Sequence, residues 1–111
     1  MDLAEKFLNY QEPEYFWDRK LRLFYLWGHS WEFDRDGNWE VIETFAKRMG
    51  NREDIWYAAN IEIYDYIAAY NQLIFSVDYT RVYNPTCTTV WFETGKGIYC
   101  VKPGETAQYE F

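Results

Sequence analysis

Two cysteines and one histidine are the only thiol and imidazole side chains that 111 residues contain. Cys87 and Cys100 match neither a zinc ribbon nor a CxxC redox pair, and a lone His29 cannot build a histidine-rich zinc site. Both cysteines fall in segments that read as strands, so two inert core thiols are expected, with a bridge between them only if the protein is exported. Long apolar runs are also missing. None approaches the ~20 residues needed to span a bilayer, and Met1–Lys6 has neither the basic start nor the apolar centre of a secretion signal. Basic residues are outnumbered, 11 against 18 acidic, and the net charge of −7 comes with no Lys/Arg stripe, which excludes nucleic acid as a partner. There is no glycine-rich phosphate loop and no G-x-S-x-G elbow. Ser30 and His29 are adjacent on an extended chain and point to opposite sides, so they do not form a nucleophile and its base. A protein soluble in the cytoplasm, without membrane or nucleic-acid contacts, is expected.

What is abundant is apolar and aromatic: 49% hydrophobic residues and 23% Phe, Trp and Tyr. That is enough for one modest core and far from a disordered composition. Leu3, Phe7 and Leu8 lie on one side of a short helix over 2–10, ended by Pro13, and "YQEPEYFWDRK" at 10–20 reads as a connection. Residues 21–27, apolar at nearly every position after Arg22, read as a central strand covered on both faces, as in a parallel sheet flanked by helices. Asp34–Asn38 is turn chemistry, with Asn38 as the N-cap of a helix. From 39 to 49 the apolar residues recur at helical spacing, Lys47 and Arg48 occupy the last turn, and Gly50 stands just past it. "IWYAA" at 55–59 reads as a second strand, and Asn60 as the cap of a second helix, in which Ile63, Ile67 and Tyr70 share a face. Beyond residue 72, short β-rich runs at 73–77, 81–83, 88–92, 98–101 and 107–111 are separated by turn clusters such as Asn84-Pro85 and Lys102-Pro103-Gly104-Glu105, which predicts an antiparallel meander. The fold class is therefore α/β: a βαβα unit, then a small antiparallel meander. The expected organisation is residues 1–72 with 73–111 packed on them as one compact unit.

In parallel α/β architectures functional groups gather at the carboxyl ends of the strands. His29, just beyond 21–27, and Asn60, just beyond 55–59, stand at such ends and share a rim if the two strands are near neighbours. An imidazole there is suited to general acid or base work, Gly28 lets the backbone approach a ligand, and Ser30, Glu32 and Asp34 are near enough to orient the ring. A histidine after an apolar run is also commonly structural. Trp27, Trp31, Trp56 and Tyr57 can stack on sugar rings or simply fill the core.

The strings "LFYLWGHSWEFD" at 23–34, "NWEVIETFAKRMG" at 38–50 and "DIWYAANIEIYDYI" at 54–67 resemble the C-terminal part of bacterial polysaccharide deacetylases, the family that includes chitooligosaccharide deacetylases. "VYNPT" at 82–86 continues the match, and "LAEKFL" at 3–8 resembles the helix before the corresponding family strand. The resemblance implies a distorted β/α barrel that hydrolyses acetyl groups from carbohydrates with a divalent metal, usually zinc. On Leu26-Trp27-Gly28-His29 it implies that His29 is the general acid protonating the leaving amine and that Leu26 lines the pocket for the acetyl methyl group. Trp27, Trp31 and Asn60 are the candidate substrate contacts. The family's metal ligands, its general-base Asp and an Arg-bearing motif have no counterpart here, so no metal or cofactor is expected in this chain and deacetylation by it alone is not expected, because the reaction needs a metal-bound water.

Two functions from different classes follow. One is a C-terminal portion of a deacetylase, whose strand 21–27 lacks its barrel neighbours and so favours a homo-oligomer or the missing N-terminal half as partner. The other is a non-catalytic carbohydrate-binding or protein-interaction module working through its aromatic residues.

Overall fold

The computed structural model describes residues 2–15 and 19–111. Residues 16–18 of the connection at 10–20 lie outside them. The architecture mixes helices with antiparallel sheets, and no closed barrel is formed among the described residues. The chain divides into two compact units, one from 2–13 and 19–56, the other from 14–15 and 57–111.

The first unit is helical. Helices α1 (Asp2–Leu8), α2 (Ser30–Asp36) and α3 (Trp39–Met49) carry its regular structure. Arg48 near the end of α3 donates two hydrogen bonds to Glu5 of α1, at 2.8 and 3.1 Å. That guanidinium holds the Glu5 carboxyl below its usual range. The ring of Phe24 bridges the same helices, 5.4 Å from Phe7 and 5.7 Å from Phe45.

The central strand expected at 21–27 is not formed: these residues have no regular secondary structure, and all but Phe24 are exposed, Leu21 at 98%. A segment apolar on both faces holds a strand only with neighbours on both sides and layers above and below, and this unit has no sheet to receive it. Residues 55–59 are likewise without regular secondary structure, so there is no βαβα unit. Helix α2 was not anticipated. It closes at Gly37, whose left-handed φ of 61° ends the helix with its N–H donating to the Phe33 carbonyl. The turn read at 34–38 is thus the corner between α2 and α3. Asn38 does cap α3 by position, but its side chain makes no capping bond and its buried Oδ1 has no partner among the described residues.

In the second unit helix α4 (Asn60–Asn71) packs on strands β1 (Ile74–Phe75), β2 (Arg81–Tyr83), β3 (Val90–Thr94), β4 (Gly97–Val101) and β5 (Thr106–Gln108). Its N-cap is Ala59 rather than Asn60, because Glu62 reaches back to accept from the Ala59 N–H at 3.4 Å. The buried face of α4 carries Ala69 with Tyr66 beside it, not the Ile63, Ile67 and Tyr70 face that the spacing suggested; Ile67 and Tyr70 are exposed.

All pairings are antiparallel, as expected, but the order is not a meander. One sheet runs β1-β2-β5 and the β3-β4 hairpin forms the other, so β5 returns to β2 across the hairpin. Side chains alternate along β3, with Val90, Phe92 and Thr94 buried and Trp91 and Glu93 exposed. The core is Val82, Val90 and Val101, with Phe92 and Tyr109 meeting edge to face at 5.0 Å. The outward N–H of Trp91 in β3 donates to the Tyr66 hydroxyl of α4 at 2.9 Å.

The departure from a meander is fixed at Asn84, which is fully buried. Its Nδ2 donates to the carbonyls of Thr88 (2.7 Å) and Val101 (3.0 Å), while its Oδ1 accepts from the Thr86 N–H (2.9 Å) and hydroxyl (2.6 Å). Its backbone N–H donates to Glu105 and its carbonyl accepts from Gly104. The chain after β2 is thereby held as a loop, and Cys87 falls in that loop, exposed, instead of in a strand. Cys100, in β4, is half-buried, and both thiols are free.

Two outcomes are expected. Asn84→Ala removes the amide's bond to the buried Val101 carbonyl and its bridge to the 86–88 loop, and lowers unfolding free energy by about 3 kcal/mol or more, read by denaturant titration. Asp78 sits in the β1–β2 turn, where hydrogen bonds from the Ser76 hydroxyl, and then from Thr80, hold its carboxyl below the usual value of 3.8. Its folded pKa is lower than its unfolded one, so its stabilisation is present above about pH 4 and fades as pH falls through the folded value. Asp78→Asn is therefore expected to flatten part of the acid limb of a stability-against-pH curve.

Candidate functional site

His29 is the N-cap of α2, in extended conformation at φ −116° and ψ 138°. Residues two before and two after it are tryptophans, and the local fold brings both rings to the imidazole. Trp31, on the first turn of α2, stacks on it at 5.6 Å with 25° between planes, and Trp27 meets it edge-on at 6.0 Å and 78°. Glu32, one helical step on, accepts a hydrogen bond from the His29 backbone N–H at 3.3 Å and brings a carboxylate oxygen to 3.7 Å from Nδ1. Gly28 leaves room for that reach: a Cβ there would stand 3.2 Å from the Glu32 carboxylate, which would have to shift slightly. Arg35 lies over the Trp31 ring at 5.2 Å and donates to Asp36 at 2.8 and 3.0 Å. The Asp36 carboxyl is thereby held below its usual range.

The arrangement is a solvent-facing imidazole stacked on the face of Trp31 and met edge-on by Trp27, with a carboxylate on its Nδ1 side. Such a group holds and releases one proton, and the rings offer apolar surfaces to a flat or sugar-like ligand. Of the predicted site residues, the structure brings together Trp27, His29 and Trp31. Leu26 is exposed in the same segment. Asn60, the first residue of α4, belongs to the second unit. Among the residues expected to orient the ring, Glu32 brings a carboxylate oxygen to 3.7 Å from Nδ1 and binds the His29 backbone N–H rather than the ring. Arg35 was not foreseen: its signal is the i, i+4 spacing from Trp31, legible only once 30–36 is known to be helical.

Among the described residues no group of three or more His, Cys, Asp or Glu is placed to hold a metal ion. The donors present do not fit a divalent-metal centre. No described helix is long and apolar enough to cross a membrane. The second unit has an open groove of ≈ 500 Å³ lined by Thr80, Arg81, Tyr99, Gln108, Tyr109 and Glu110. Burial pushes the Tyr109 phenol up. No protein family, curated protein or solved structure matches this chain.

Glu32→Gln is expected to weaken the link to the His29 N–H, by about 0.5–1 kcal/mol for a cap-type interaction. Hydrogen exchange should speed up at residues 29–32 and stay unchanged in α3.

Proposed function

We propose that the chain forms the C-terminal, general-acid portion of a metal-dependent polysaccharide deacetylase catalytic domain, contributing part of its β/α barrel and inactive by itself. The observation that carries this reading is the exposed apolar segment 21–27 leading into the exposed His29. A stretch of that composition is what a barrel strand looks like without its neighbours, and the complete domain would cover it. In this reading protonated His29 hands its proton to the nitrogen of the leaving amine, and Glu32 keeps the imidazole oriented. Trp27 and Trp31 hold the sugar, and Leu26 meets the acetyl methyl once the missing wall is in place. Asn60 completes the rim in the assembled domain. The metal that activates the attacking water belongs to the motifs this chain lacks; its own residues take only the proton-transfer and sugar-holding roles. Two free thiols accord with a cytoplasmic protein.

A second reading, a non-catalytic carbohydrate-binding module, is favoured by one feature: the Trp27–His29–Trp31 cluster is already assembled and exposed within one unit.

Co-expression with the N-terminal half of a chitooligosaccharide deacetylase, with zinc added, is expected to release acetate from chitooligosaccharides. His29→Ala in that assembly should lower kcat by about 10²–10⁴. Failure of the complemented assembly to release acetate, together with zinc-independent binding of chitooligosaccharides that Trp31→Ala abolishes, would establish the module instead.

A further inference from the structure

We infer that the chain associates with a second copy of itself through two unlike surfaces, the segment 19–27 of one copy lying on the outward face of α4 of the other. The segment carries Leu21, Leu23, Tyr25, Leu26 and Trp27, all exposed. Within it are Arg19, Lys20 and Arg22 and no acidic residue. Arg19 has a neighbour in Glu12 at 3.9 Å, and Arg22 lies over the Tyr10 ring at 4.0 Å. The aliphatic side chains beside them face solvent.

The opposite surface is on α4. While Ala69 and Tyr66 serve the core, Ile61, Tyr64, Ile67 and Tyr70 are exposed, and exposed Ile74 follows on β1. A helix apolar on more than its core face is one whose second face is covered in the working state. Its own charges are acidic: from Asn60 to Thr80 the second unit has Glu62, Asp65 and Asp78 and no Lys or Arg.

Charge decides which surfaces meet. Two α4 faces would oppose Glu62 and Asp65 to themselves, and two 19–27 segments would oppose three cations to three. Only the mixed pairing joins apolar to apolar with opposite charges at the margin. The contact joins unlike surfaces: made twice about a two-fold axis it closes an isologous dimer, and made once per neighbour it continues head to tail. It shares the exposed segment 21–27 with the deacetylase reading, which has that segment covered by the missing half, and the two are tested apart: sedimentation of the chain alone tests this one, and acetate release by the complemented assembly tests the other.

The experiment is sedimentation velocity on three proteins at low salt. The unmodified chain is expected as a dimer or larger at about 100 µM, with association weakened several-fold at about 0.5 M salt as screening shortens the charge interaction. Leu21→Asp with Leu23→Asp removes one surface, and Tyr64→Lys with Ile67→Lys removes the other. Each double variant alone is expected to be monomeric. Mixed in equal amounts they are expected to form a heterodimer, because one intact surface of each kind remains. Circular dichroism melting of the variants checks that they fold. As a second handle, Lys20→Glu and Asp65→Lys should each weaken association several-fold and restore it when combined in one chain. A monomeric unmodified chain, a mixture that stays monomeric, or association indifferent to the α4 variant would each overturn the inference. So would a monomeric chain whose α4 face instead binds a foreign cationic amphipathic peptide.

Discussion

The second unit depends on one amide. Asn84 is buried with both donors and both acceptor positions used, and its partners come from three places: the 86–88 loop, strand β4 and, through its backbone, the 104–105 turn. The bond from Asn84 to Val101 is buried beside the core valines, where a polar group lacking its partner is costly. The amide therefore determines where β2 ends and allows the hairpin β3–β4 to leave one sheet while β5 returns to it. Hydrophobic burial supplies most of the driving force, but it does not choose this connectivity.

The first unit is governed differently. Its helices meet through an ion pair on the surface and a line of three half-buried phenylalanines, with Ala4 and Met49 the only deeply buried side chains among its described residues. Such a unit leaves most of 21–27 uncovered and leaves the aromatic residues around His29 open to solvent. The same economy of core that exposes apolar surface also makes the imidazole accessible. An exposed ring flanked by two tryptophans is suited to meeting a ligand, and it costs the unit little stability.

How much of this was readable without coordinates differs from element to element. Helix 39–49 was legible to the residue, because its apolar spacing, basic last turn and terminal glycine agree. The strands from residue 73 on were legible within two or three residues, since turn clusters separate them. Residues 21–27 misled because hydrophobicity measures what a segment needs, not what the chain provides: a buried strand and an uncovered one have the same composition. Asn84 was visible as part of a turn but not as a buried hub, as its partners lie up to 21 positions away, at Glu105. Around His29, the tryptophans and Glu32 could be foreseen from proximity in sequence. Arg35 on Trp31 could not, because it depended on a helix that capping by a histidine does not announce.

The hydroxyl of Tyr66 occupies the N–H of Trp91 on the outer side of β3. That N–H is the group an incoming extended peptide would need in order to continue the ladder. The hairpin is thus stoppered on that side by its own helix, and amyloid-like stacking of copies along this edge would first have to pull the phenol away.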